Sequence, residues 1–142
     1  MQGHWIGKPG EEMVDLIEDL IEKCPSADGN RIYLTGSSMG GNGVVLHFAE
    51  HQKMYAAGIS LCQGIPYQDR FEFRRDAPVW MFHGDNDTVI DVKASRSWVD
   101  PMRRNENFKY TELKGEGHGI QRSVAENDAA LEWMFSFRLE DE

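Results

Sequence analysis

The chain has 142 residues, in which 15 Lys and Arg stand against 24 Asp and Glu for a formal net charge of −9. That length suits one domain, and 40% hydrophobic with 27% charged residues is the balance of a folded chain rather than a disordered one. The acidic excess argues against nucleic acid, whose phosphates are gripped by clustered Lys and Arg, and no apolar run nears the roughly 20 residues of a membrane span.

In chain order, residues 11–24 put Met13, Ile17, Leu20, Ile21 and Cys24 on one face at helical spacing. Pro9 and Gly10 precede this helix, and glutamates occupy its first turn, where the helix dipole favours them. A turn-rich stretch leads into a short β-branched and apolar strand at 31–35. Gly36-Ser-Ser-Met-Gly-Gly41 then breaks into a helix ending near residue 51. A second strand is read over 56–62, with Gln63 and Gly64 at its end. A third covers 79–83, opened by Pro78, which a first strand position tolerates. Residues 91–99 are predicted helical, limited by Pro101; 108–113 is a fourth strand; 124–138 is a last helix with Ala130, Trp133, Met134 and Phe137 on one face. In the irregular connection at 63–77, Tyr67, Phe71 and Phe73 are either core cover or a pocket wall, with core cover the stronger reading. Apolar strands alternating with helices specify an α/β fold: a predominantly parallel sheet of about four strands with flanking helices.

Two cysteines, Cys24 and Cys62, are too few for a disulfide framework and read as buried free thiols. The opening Met-Gln-Gly-His-Trp has neither a basic nor an apolar stretch, so no signal peptide is expected; the location is left open, with cytoplasm slightly favoured. No CxxC or HExxH spacing exists, and Asp85, Asp87 and Asp91 lack the Gly and Glu positions of a calcium loop. No metal or other cofactor is predicted.

Gly36-Ser37-Ser38-Met39-Gly40 matches GxSxG between a strand and a helix. There the chain must turn sharply and present a serine hydroxyl. A plain glycine-rich turn with a surface serine is the alternative. Ser37 competes for the role, but Ser38 alone has glycines two residues away on both sides, Gly36 and Gly40, where a Cβ is expected to crowd the turn. A serine needs a base to become nucleophilic, and the base needs an orienting carboxylate. His83-Gly-Asp-Asn-Asp87 follows the third strand and Gly115-Glu-Gly-His118 the fourth. Ser38, Asp87 and His118 thus each lie just past the carboxyl end of a strand, where open parallel sheets place their ligand sites. His83 reads as a buried, hydrogen-bonded histidine, Glu116 as a solvated loop charge, and His4, His47 and His51 as surface or helix-face residues.

RIYLTGSSMGG at 31–41, PVWMFHGDNDTVI at 78–90 and YTELKGEGHG at 110–119 resemble the C-terminal part of an α/β-hydrolase. The similarity lies near the esterases and predicted peptidases related to polyhydroxyalkanoate depolymerases, feruloyl esterases and the prolyl-oligopeptidase catalytic domain. The resemblance implies Ser38 as nucleophile, His118 as general base and then acid, and Asp87 as the carboxylate holding His118. Its HGxxD pattern selects Asp87 over Asp85, and it implies that Met39 gives its backbone N–H to an oxyanion hole.

Such hydrolases carry further strands ahead of the first helix seen here, one of which supplies a second oxyanion donor. A single minimal or truncated domain over 1–142 is expected, with 1–10 as a flexible segment. The strand at 31–35 would then be left bare, and a second copy is expected to cover it. Trp5, Gln63 and Tyr67 are the candidates for lining a substrate pocket. The expected function is a serine esterase acting on small or accessible esters, with peptidase activity the weaker expectation; the alternative is a degenerate scaffold that binds a ligand or partner without efficient turnover.

Overall fold

The computed structural model describes Trp5 and residues 7–139. Four strands, β1 (Tyr33–Ser37), β2 (Ala57–Leu61), β3 (Val79–Gly84) and β4 (Lys109–Leu113), form one sheet in the order β1-β2-β3-β4. All three pairings are parallel, with Tyr33 opposite Ala57, Gly58 opposite Val79 and Trp80 opposite Lys109. Among the described residues, β1 has a partner on one side only and forms an edge. Helices α1 (Lys8–Lys23) and α2 (Met39–Glu50) precede β2. The short helices α3 (Lys93–Arg96) and α4 (Val99–Met102) come before β4, and α5 (Gln121–Ala125) and α6 (Asp128–Phe135) follow it.

Side chains alternate across a strand, and β3 shows this directly. Val79 and Met81 join Val45, Phe48, Tyr55 and Trp98 in one core, whereas Phe82 joins Ile59, Leu61, Ile120, Val124 and Met134 in the other. On β2 the α2-facing positions are small. A Cβ at Gly58 would press on Val44 and Phe48 at 3.2 Å, and Ser60 donates its hydroxyl to the Gly41 carbonyl at 2.9 Å. This lets α2 lie close against the sheet.

Several elements differ from the sequence reading. Helix α1 begins at Lys8, so residues 8–10 are helical rather than part of a loose segment; residues 1–4 and 6 lie outside the described residues, as does His4. Strand β1 starts and ends two residues later than expected. The helix expected over 91–99 is two short helices, and Pro101 sits inside the first turn of α4, where no backbone donor is needed. The long last helix is also divided, because Asn127 stops α5 and caps α6 by accepting from the Ala130 N–H. Tyr67, Phe71 and Phe73 surround Trp98, with ring centroids 5.2, 5.2 and 5.7 Å from it, so the irregular connection covers the core, and the same three rings line a surface cavity beside Pro101 and Asn105. Cys24 is exposed at the end of α1, while Cys62 is buried. His47 is fully buried rather than on the surface, donating from Nε2 to the Gly10 carbonyl at 3.2 Å, and burial lowers its pKa.

Candidate active site

A single residue, Ser38, separates β1 from α2. Its backbone has φ 56° and ψ −116°, a left-handed conformation rarely adopted by a residue with a side chain. Two features hold it there. The Ser38 N–H donates to the Leu61 carbonyl at the end of β2 (2.8 Å), and the Asn42 N–H donates back to the Ser38 carbonyl (3.0 Å). The next N–H, that of Met39, is the first of α2 and has no partner within the helix, so it sits at the positive end of the helix dipole. Gly36 is required because its Cβ would run into the Gly40 carbonyl. Gly40 departs from the expectation: a Cβ there would meet nothing within 4 Å.

Asp87 and His118 arrive from the loops after β3 and β4. Gly84, the last residue of β3, allows these loops to touch, since a Cβ on it would overlap the Glu116 and Gly117 carbonyls. Two further bonds tie the loops together. Asp85 accepts from the Gly115 N–H at 2.6 Å, and the Asn86 N–H donates to the Glu116 carbonyl at 3.0 Å. Asp85 therefore has a scaffolding contact. Glu116 accepts from the Ser123 hydroxyl at 2.7 Å.

The result is a chain of three side chains. Ser38 Oγ lies 2.9 Å from His118 Nε2, and His118 Nδ1 lies 2.7 Å from Asp87 Oδ2. A carboxylate only accepts, so Nδ1 carries the proton, and Nε2 of the neutral ring is free to accept from the Ser38 hydroxyl. The His118 side chain is 24% exposed and that of Asp87 is 0% exposed. Ser37, by contrast, accepts from the Gln121 side-chain amide at 2.8 Å.

Burial would push the Asp87 carboxyl up, yet its pKa is held down at about 2. The Ile90 N–H, the His118 ring, the Val89 N–H and the Cys62 thiol together outweigh the burial. Asp87 Oδ1 accepts from Val89 at 2.8 Å and from Ile90 at 2.9 Å. Burial raises the Cys62 thiol to about 11, so it keeps its proton and donates it towards Asp87. Among the described residues Cys62 is the other non-glycine residue with positive φ, at 46°. Cys62, His83 and Asp87 offer ligand atoms within 4.8 Å of one another, a spacing a small cation would fit. All three are already engaged in hydrogen bonds or close polar contacts with one another or with neighbouring groups.

Each candidate pocket residue packs against neighbouring parts of the chain. Gln63 is fully buried, its amide turned inward to Ser95 (3.2 Å) and to the Ile65 N–H (2.6 Å), so it offers no surface to a substrate. Tyr67 packs edge-on against Trp98. Trp5 lies against Gly43, where a Cβ would come within 2.7 Å of its ring. The sequence reading missed the scaffolding parts Gly84, Asp85 and Cys62; the glycine directly after His83 was the visible hint.

No family profile matches the chain. Acyl-protein thioesterase 1 of Cryptococcus neoformans var. neoformans serotype D is 29% identical over 105 residues, covering 69% of this chain and 44% of that protein. The crystal structure of a thermostable esterase superposes with TM-score 0.83 at 32% identity, over 93% of this chain and 37% of that one. Esterase PE8 gives TM-score 0.72 at 19% identity, over 89% of this chain and 60% of its own. The architecture is that of the α/β-hydrolase fold. The chain spans less than half the length of the thioesterase and of the thermostable esterase.

Proposed function

We propose that the chain is a serine hydrolase of carboxylic esters, acting through an acyl-enzyme on Ser38. The observation that carries this reading is the 2.9 Å contact between Ser38 Oγ and His118 Nε2, made by a serine in a strained turn. Ser38 Oγ attacks the carbonyl carbon as its proton passes to His118 Nε2. The carbonyl oxygen becomes an oxyanion facing the Met39 N–H at the head of α2. Collapse of the tetrahedral intermediate breaks the bond to the leaving oxygen, which takes the proton from His118. Water, deprotonated by the same nitrogen, then releases the acid and restores Ser38. Asp87 stays ionised and holds the imidazolium that forms.

The thioesterase likeness favours extending the substrate class to thioesters, which react by the same route with sulfur as the leaving atom. The experiment is active-site labelling with a fluorophosphonate probe, alongside turnover of p-nitrophenyl acetate. Wild-type protein is expected to label and Ser38→Ala is not. Folded wild-type protein that stays unlabelled would replace this reading with that of a binding scaffold.

A further inference from the structure

Behind Asp87 lies a second imidazole that the mechanism above does not use. His83 is the penultimate residue of β3 and is completely buried. Its Nδ1 is 2.8 Å from Ser95 Oγ on α3. Its Nε2 is 3.1 Å from the Ile90 carbonyl and 3.2 Å from Asp87 Oδ2. We infer that His83 is a positioning residue for the Asp87 carboxylate, locked in its Nε2–H form by a one-way hydrogen-bond relay running from Gln63 through Ser95. This inference rests on the hydrolase reading for its effect on rate, though not for the direction of the relay.

The direction follows from the donors and acceptors on the two sides of a neutral ring. The Ile65 N–H can only donate, so the atom of Gln63 it meets at 2.6 Å is the amide oxygen. The Gln63 amide nitrogen is then the atom facing Ser95 Oγ, and it donates. Ser95 Oγ accepts that bond, which leaves its own proton for its other partner, His83 Nδ1. An Nδ1 that accepts has no hydrogen, so the ring proton sits on Nε2.

The other side of the ring decides between the two neutral forms. Nε2 faces a carbonyl oxygen and a carboxylate oxygen, both acceptors. A lone pair there would be repelled by both, while an N–H donates to Ile90 and turns its positive edge to Asp87 Oδ2. The Ile90 peptide is thus held from two sides. Its N–H binds Asp87 Oδ1, and its carbonyl is fastened to His83. Oδ2 is left between two ring nitrogens, His118 Nδ1 in front and His83 Nε2 behind. The carboxylate that orients the base is in turn oriented by β3 and α3. Buried polar chains of this kind persist where every member is satisfied.

Two measurements test this. Long-range nitrogen–proton NMR correlations on imidazole-labelled wild-type protein are expected to show His83 with its proton on Nε2 and a bare Nδ1. A proton on Nδ1 instead would overturn the relay, whatever the protein's activity. Kinetics with p-nitrophenyl acetate test the positioning role. His83→Leu is expected to lower kcat by about tenfold to a hundredfold with KM unchanged, the usual range for a supporting partner. His83→Gln, which keeps a donor near Nε2, is expected to recover most of that loss. Should His83→Leu fail to fold, Ser95→Ala removes only the donor to Nδ1 and is expected to lower kcat severalfold at constant KM. Folded His83→Leu or Ser95→Ala protein with wild-type kcat would overturn the positioning role while leaving the hydrolase reading intact. A wild type that neither labels nor turns over would defeat the hydrolase reading and with it the positioning role, and the NMR result would still decide the relay.

Discussion

Gly36 and Gly40 stand so close across the turn at Ser38 that a single methyl on Gly36 would occupy the place of the Gly40 carbonyl. The two glycines of the motif are therefore unequal. Gly36→Ala is expected to destabilise the fold by at least about 3 kcal/mol, because the obstacle is backbone that cannot rotate away. Gly40→Ala meets open space within a helix and is expected to stay within about 1 kcal/mol of wild type. Urea unfolding of the two variants checks the contrast.

Strain at Ser38 predicts a trade between stability and reactivity. A non-glycine residue in this region of backbone space costs roughly 1–3 kcal/mol. Ser38→Gly is expected to unfold at a higher temperature than Ser38→Ala, both being inert towards the fluorophosphonate. Thermal unfolding of the pair measures the difference, and equal midpoints would contradict it.

The depressed pKa of Asp87 has a defined signature in acid. A carboxyl lowered from 3.8 to about 2 in the folded state corresponds to roughly 2 kcal/mol of stabilisation. That contribution is present in full above pH 3.8 and is lost as pH falls through about 2. The stability gap between wild type and Asp87→Asn should be constant above about pH 4 and shrink below it. Asp87→Asn should also slow ester turnover by roughly ten-thousandfold, since the amide cannot fix the His118 tautomer.

Strand β1 leaves its outer backbone groups unpaired among the described residues, and Leu16, Leu20 and Phe135 are exposed large apolar side chains. Light scattering at micromolar concentration is expected to find a dimer, in which a second copy covers the edge. A clean monomer would discard that expectation.

Much of the site was legible because its parts are tied to strand ends. Ser38, Asp87 and His118 follow β1, β3 and β4, and an open parallel sheet brings such positions to one rim. The four strands were readable from their short apolar runs. The inward turn of Gln63 was not, since its partner Ser95 lies 32 residues away, on a helix whose bounds sequence could not give. For His47, read as a surface or helix-face residue, nothing local shows that Gly10 and Tyr55 close over it. Asp85 and Asp87 were separable by motif alone; the physical difference is that one meets a backbone N–H and the other an imidazole.

Strand β1, which runs into the proposed nucleophile Ser38, is the outermost strand described, so Ser38 occupies a corner of the sheet. On its inner flank every orienting contact is in place: Leu61 grips its peptide and His118 its hydroxyl. Among the described residues the opposite flank is an unpaired strand edge, and on the proposed reading whatever docks there becomes a neighbour of the reacting carbonyl. On the proposed reading assembly and chemistry share a wall, and a molecule recruited to the margin would tune turnover without touching Ser38, His118 or Asp87.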